Sequence, residues 1–128
     1  LKEGEDITIF CNGAIISECL KAANLLEEKS LSCSVVNMHT IKPIDVQSVK
    51  ASLKSKLIIT VEEHNIIGGL GSAVSECKSK FSKSPPQLFL GINDYYSKAG
   101  DYEFLKKKYG LNSENIVAKA LNTLANYE

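Results

Sequence analysis

The sequence contains no arginine and no tryptophan, so its fifteen strongly basic side chains are all lysines. Arginine grips phosphates and carboxylates through two parallel hydrogen bonds, a geometry that lysine cannot reproduce. Fifteen acidic residues balance the lysines, and the formal net charge is +0. Nucleic-acid-binding modules usually carry a basic face. These absences exclude an arginine-clamp mechanism within this chain and argue against a nucleic-acid partner.

The sequence also lacks C-x-x-C pairs and has no histidine at zinc-finger spacing from a cysteine. Its cysteines lie in apolar runs that look like strands or helices: Cys11, Cys19, Cys33 and Cys77. We therefore expect buried, reduced thiols and a cytoplasmic location. No apolar run approaches the ~20 residues that a membrane-spanning helix needs, so no membrane partner is expected.

Hydrophobic periodicity predicts one domain of alternating strands and helices over the 128 residues. Short apolar and β-branched runs predict strands over 6–11, 32–38, 56–63 and 87–92. Helical spacing predicts helices over 14–29 and after Asp45, Gly71, Asp101 and Ser113. The lysines at 106–108 then form a solvated last turn before Gly110. This order is typical of an α/β fold whose mainly parallel sheet has helices on both faces.

Ligands of such sheets bind at the carboxyl ends of the strands, where the third strand has the most polar residues. The candidate interface or anion-contact residues there are Glu62, Glu63, His64, Gly68, Gly69, Gly71 and Ser72. Free N–H groups at a helix N-terminus favour an anion, but the two glutamates would repel a phosphate or take its place. We interpret Gly68 and Gly69 as positions of positive φ, and Gly71 as a close approach of helix to sheet.

Catalytic chemistry is weakly indicated at these residues. Adjacent side chains on a strand point to opposite faces, which argues against Glu62 and Glu63 as an acid/base pair. His64 is the best candidate for proton transfer, but no partner can be assigned, so a capping or interface role is favoured. Tyr95 and Tyr96 are interpreted as a partner contact or as a satellite of the core. No catalytic, cofactor-binding or metal-binding residue is predicted.

Several of these segments resemble the C-terminal domain of transketolases. The similar stretches are VNMHTIKPID at 36–45, VEEH at 61–64, GGLGSAV at 68–74, DYYSKAG at 94–100 and YGL at 109–111. The similarity is greatest to the C-terminal part of split, two-subunit transketolases. The same domain closes deoxyxylulose-phosphate synthases and the β subunits of 2-oxoacid dehydrogenase E1 components, and both stay open as alternatives.

The resemblance implies a three-layer α/β/α fold with a mainly parallel, mixed sheet, because the family adds an antiparallel edge strand before the first strand. It implies a thiamine-diphosphate- and magnesium-dependent transfer of two-carbon ketol units between sugar phosphates. The family holds this cofactor between two other domains, which these residues do not contain. We therefore expect a fragment of a longer chain, without cofactor of its own and inactive alone. It would form a homodimer and contact the other transketolase domains or subunit. A free-standing anion-binding regulatory module is the alternative from a different class.

Overall fold

The computed structural model describes residues 1–93 and 99–127. Strands and helices alternate through these residues, as the periodicity predicts. The strands are β1 (Ile7–Cys11), β2 (Cys33–Asn37), β3 (Leu57–Asn65) and β4 (Gln87–Ile92). The helices are α1 (Ile16–Glu27), α2 (Val46–Ser52), α3 (Leu70–Lys78), α4 (Tyr102–Lys108) and α5 (Ser113–Tyr127), with a short 3-10 turn (Gly13–Ile15) leading into α1.

The four strands form one sheet in the order β2-β1-β3-β4, and every pair of neighbouring strands is parallel. The predicted parallel sheet between two helical layers is therefore confirmed. Antiparallel pairing in the described part of the chain is limited to one isolated bridge between Lys2 and Val35 of β2, where the Val35 N–H donates to the Lys2 carbonyl at 3.0 Å. The strands themselves are thus parallel throughout, where a mixed sheet was predicted.

Two hydrophobic cores lie on opposite faces of the sheet, because alternate residues of each strand point to opposite sides. Ile7, Ile9 and Cys11 of β1 pack with α1 and α5, while Phe10 between them packs with α2 and α3. All five residues of β1 are buried, as expected for a parallel strand covered on both faces. The cysteines are free and buried, as predicted. In the described residues no helix is both long enough and apolar enough to cross a bilayer.

The residues at the ends of the predicted helices make different contacts with them. The Asp45 carboxylate accepts hydrogen bonds from the N–H groups of Gln47 and Ser48, as an N-cap should. Gly110 follows α4 with φ +69°, the left-handed conformation expected after a helix. Asp101 precedes α4 but its side chain makes no capping bond. Ser113 lies inside α5, and its N–H donates to Glu18 at 2.8 Å.

The prediction of a solvated lysine run is wrong for Lys106, which is only 6% exposed. Its Nζ lies 3.1 Å from Glu18 Oε1 on α1 and 2.7 Å from Glu103 Oε1. The Glu103 carboxylate, opposed by burial and aided by Glu18, raises the pKa of the Lys106 ammonium. Glu18 therefore joins three helices: it pairs with α4, accepts from the first N–H of α5 and belongs to α1 itself.

Burial of Glu18 would raise the pKa of its carboxyl, but the Ser113 N–H together with Lys21 and Lys106 lowers it from 4.5 to about 2. We expect Glu18→Gln to lower the free energy of unfolding at pH 7 by about 2 kcal/mol, because the amide leaves Lys106 without this counter-charge. A carboxyl whose pKa is lower in the folded than in the unfolded chain stabilises the fold at pH values above its unfolded-state pKa. This contribution is lost as the pH falls through the folded-state pKa.

The stability difference between wild type and Glu18→Gln should therefore shrink between pH 4.5 and about 2. Urea denaturation across this pH range measures it. Glu28→Gln, at an exposed position at the end of α1, serves as the control and should change stability by less than about 0.5 kcal/mol. A pH-independent difference would contradict the assignment.

Candidate functional site

The polar end of β3 runs through a short turn into α3, and the pairing of β3 with β4 is irregular between Val61 and Asn65. Irregular pairing at a strand end re-aims the side chains next to it. Glu62 is the last fully buried residue of the strand, whereas Glu63 and His64 are exposed. The predicted cluster therefore lies at the carboxyl end of the sheet, but some of its side chains are buried and others are exposed.

Glu62 caps the N-terminus of α3 from within the fold. Its side chain is 3% exposed, and its two carboxylate oxygens accept from the N–H of Leu70 at 2.9 Å and of Gly71 at 2.7 Å. The first N–H groups of a helix lack partners inside the helix, and the positive end of the helix dipole favours an anion there. The chain's own carboxylate thus takes the donors that an external phosphate would use.

The three glycines of the turn serve different purposes. Gly68 has φ +80°, the conformation that was predicted for it. Gly69 has φ −100°, so the prediction of positive φ is wrong at that position. It must be small instead, because a Cβ there would collide with the Glu62 carboxylate and approach the Asn65 carbonyl to 3.0 Å. A Cβ on Gly71 would meet the Phe89 ring and Thr60, which agrees with the predicted close packing of helix on sheet.

Side chains within the turn satisfy its backbone groups. Asn65 Oδ1 accepts from the Ile67 N–H at 2.8 Å, and Ser72 Oγ accepts from the Gly68 N–H at 2.9 Å. The Ser72 hydroxyl also donates to the Ile66 carbonyl at 3.3 Å. Ser72, predicted as an interface or anion contact, therefore has a structural role inside the turn. The turn is held by hydrogen bonds on both sides of Ile67.

The two remaining ionisable residues of the motif, Glu63 and His64, point away from each other. His64 has a side chain that is 67% exposed, with Nδ1 2.9 Å from the Asn65 carbonyl and 3.8 Å from Glu62 Oε1. Glu63 lies on the opposite side, close to Tyr102. Burial of the Tyr102 hydroxyl and the neighbouring Glu63 carboxylate raise the pKa of Tyr102 to about 12. Glu62 and Glu63 therefore do not face one substrate atom. The candidates Tyr95 and Tyr96 lie outside the described residues and stay predictions.

The donor set of this edge does not fit a diphosphate with its magnesium ion. The two N–H groups best placed to hold a phosphate are bonded to Glu62. Over residues 1–93 and 99–127, no group of three or more histidine, cysteine, aspartate or glutamate side chains is arranged to hold a metal ion. What the arrangement does chemically is to fix a rigid turn at the end of β3.

Sequence reasoning missed the residues that surround this turn. Gln87 of β4 donates from Nε2 to the Gly71 carbonyl at 2.9 Å and so joins β4 to α3. A groove of about 380 Å³ lies between α3 and the segment after β2, with Ile41 and Ile44 on one wall. Ile67 beside it is 67% exposed. The signal that was available is the apolar pair Ile66-Ile67 in an otherwise polar and glycine-rich turn.

Comparisons with known proteins agree on one family. The model of the family described as "Transketolase, C-terminal domain" matches residues 1–116. A "Putative transketolase C-terminal section" of Methanocaldococcus jannaschii is 40% identical over 124 residues, which are 97% of this chain and 39% of that protein. A "1-deoxy-D-xylulose-5-phosphate synthase" of Caldanaerobacter subterraneus is 39% identical over 91% of this chain and 19% of that protein.

A solved structure described as "Split gene transketolase, inactive beta4 tetramer" superimposes with a TM-score of 0.85 at 36% identity. The superposition covers 97% of this chain and 40% of the other. The chain thus spans about two fifths of the split relatives that it matches and about one fifth of the synthase.

We expect Glu62→Gln to lower the free energy of unfolding by about 2 kcal/mol, because the amide can accept from one N–H of α3 but opposes the other with its own N–H₂. Glu63→Gln is the matched control: it makes the same chemical change at the neighbouring exposed residue and should cost less than about 0.5 kcal/mol. Chemical denaturation at neutral pH measures both. Equal losses for the two variants would disprove the assigned role of Glu62.

Proposed function

This chain belongs to the transketolase C-terminal domain family, and on that premise we propose that it is the interface-forming C-terminal part of a thiamine-diphosphate-dependent transketolase. In this proposal the parent enzyme transfers two-carbon ketol units between sugar phosphates, and the present chain is inactive alone. The observation that carries the scaffold role is the buried Glu62 carboxylate on the N-terminus of α3. Because this carboxylate accepts from the first N–H groups of α3, the glycine-rich turn holds α3 on β3 instead of binding a phosphate.

The cofactor belongs, in this proposal, to other domains or to another subunit of the enzyme. Support comes from the donor set at the end of β3, which does not fit a diphosphate and a magnesium ion. The absence of arginine adds to it, since phosphate recognition by bidentate side chains has to come from elsewhere. The same Glu62 bonds weigh against the alternative of a free-standing anion-binding module.

We propose that the partners are a second copy of this chain and the remaining part of the transketolase. Support comes from the length: the chain spans 39% of the archaeal C-terminal section and 40% of the split-gene structure, which is described as a tetramer. A cytoplasmic setting is part of the proposal as well. The four cysteines support it, because they are free and buried, as thiols of a reducing compartment are.

We expect the isolated chain to bind no thiamine diphosphate in the presence of magnesium ions. Isothermal titration calorimetry on the 128-residue chain measures this, with a complete transketolase that contains the chain as the positive control. The physical reason is that Glu62 already neutralises the one helix N-terminus that the motif offers. Saturable, magnesium-dependent binding by the chain alone would contradict the proposal.

A second candidate is the equivalent domain of a 1-deoxy-D-xylulose-5-phosphate synthase. It is favoured by the synthase of Caldanaerobacter subterraneus, which is 39% identical, almost as similar as the archaeal transketolase section at 40%.

The two candidates differ in the product of the complete enzyme. We expect the enzyme that contains this chain to exchange a two-carbon ketol unit between sugar phosphates and to make no 1-deoxy-D-xylulose 5-phosphate. Mass spectrometry of the products separates the two reactions. Formation of the deoxy sugar would show that the parent enzyme is a synthase, and the structural role proposed for the chain would stay the same.

A further inference from the structure

The turn after β1 contains the only Asn-Gly pair of the sequence, Asn12-Gly13. Asparagine is a thermolabile residue. It loses its side-chain amide when the backbone nitrogen of the next residue attacks Cγ, and glycine hinders this attack least because it has no side chain. In a folded chain the reaction requires that this nitrogen and this amide are not held by other groups.

Both reacting groups are free at Asn12-Gly13. Asn12 stands at the N-cap position of the 3-10 turn, but its side chain makes no capping hydrogen bond. In the part of the chain that the structure describes, no hydrogen bond joins the Asn12 amide or the Gly13 N–H to another residue. Asn12 is half-buried and Gly13 is exposed, so water reaches the pair.

The fold holds the corresponding nitrogen at the other asparagines whose following residue the structure describes. The N–H after Asn37 donates to the Cys11 carbonyl at 2.8 Å. The N–H after Asn65 donates to the Ile92 carbonyl at 3.0 Å. Within α1 and α5 the following N–H bonds to the carbonyl four residues back, and this protects four more: Asn24, Asn115, Asn122 and Asn126.

Asn112-Ser113 is the best comparison, because it also lies at the start of a helix and its second residue is small. The Ser113 N–H donates to the buried Glu18 carboxylate at 2.8 Å, and Asn112 Nδ2 donates to Glu114 Oε2 at 2.8 Å. Carboxylates thus hold both the attacking nitrogen and the amide. Since hydrogen bonds to charged groups are strong, the Ser113 bond slows the attack at Asn112 by about tenfold or more.

We propose that Asn12 is a site of spontaneous deamidation in the folded protein. The Gly13 nitrogen bonds to Cγ of Asn12, the bond between Cγ and Nδ2 breaks, and ammonia leaves with the proton of the Gly13 N–H. Water then breaks one of the two bonds between this nitrogen and a carbonyl carbon of the ring, which leaves aspartate or isoaspartate. The Asn12 ψ of 160° has to rotate before the atoms meet, and a following glycine opposes this rotation least.

The two products affect the structure differently. Aspartate places a carboxylate at the N-terminus of the 3-10 turn and α1, where the helix dipole favours it and the exposed Glu63 beside Gly13 opposes it. Isoaspartate carries the main chain through the former side chain and lengthens it by a methylene group. Because Cys11 and Ile15 on either side are fully buried, the packed core has to accommodate the added length. Isoaspartate therefore destabilises the fold, and aspartate changes its stability little.

Ageing of the 128-residue chain at mildly alkaline pH tests the proposal. The chain covers both of its cores with its own helices and is suitable for study alone. Peptide mapping by mass spectrometry locates each lost amide, and enzymatic methylation detects isoaspartate. We expect the folded chain to react at Asn12 at least about tenfold faster than at Asn112. In urea the ratio of the two rates should fall about tenfold, because unfolding frees the Ser113 N–H.

Two variants separate the products. Asn12→Gln keeps an amide but would have to form a larger ring, so its urea midpoint should stay constant on ageing while that of the wild type falls. Asn12→Asp has the new charge without the longer main chain and should start and stay near the fresh wild type. An Asn12 that reacts in urea but not in the folded chain would overturn the proposal. An equal ratio of rates in both states would overturn it too, since the dipeptide and not the fold would then select the site.

Discussion

The bond between the Glu62 carboxylate and the N-terminus of α3 sets the geometry of this end of the molecule. It joins the central strand β3 to the helix that covers one face of the sheet. Burying a carboxylate costs free energy unless it is hydrogen-bonded, and burying the N–H groups of a helix N-terminus without an acceptor is costly as well. Each group satisfies the other, so the turn between them has little freedom. Gly69 has to be glycine because the carboxylate occupies the space of its side chain.

The other face of the sheet uses the same solution with a different glutamate. Glu18 of α1 accepts from the first N–H of α5 and pairs with Lys106 of α4. Both α3 and α5, one on each face of the sheet, therefore begin on a buried glutamate that belongs to another element. A buried charge that is paired and hydrogen-bonded demands one arrangement of its neighbours. Glu62 thus fixes the position of α3 on the sheet, and Glu18 fixes the positions of α4 and α5 on α1.

This arrangement explains why a motif with the form of a ligand site is structural in this chain. A glycine-rich turn at a helix N-terminus binds anions when its N–H groups are free. Here the Glu62 carboxylate takes the place of an external anion, and the turn becomes a rigid platform with an apolar side chain on its outer surface. The proposed interface role follows from that platform.

Local patterns in the sequence determined the order of strands and helices, the cap at Asp45, the end of α4 at Gly110 and the burial of the cysteines. These features depend on residues close to one another in the chain, whose spacing is visible directly. The tertiary structure determined which charged side chains are buried and which groups they pair with. Glu18 meets Ser113 and Lys106 across separations of 95 and 88 residues, and Lys106 looks like any lysine at a helix end until that contact is known. Strand alternation in the sequence places Glu62 and Glu63 on opposite faces, but only the packing of α3 against β3 shows that Glu62 is the buried one. Contacts between residues far apart in the chain depend on tertiary packing, which the local spacing of residues does not reveal.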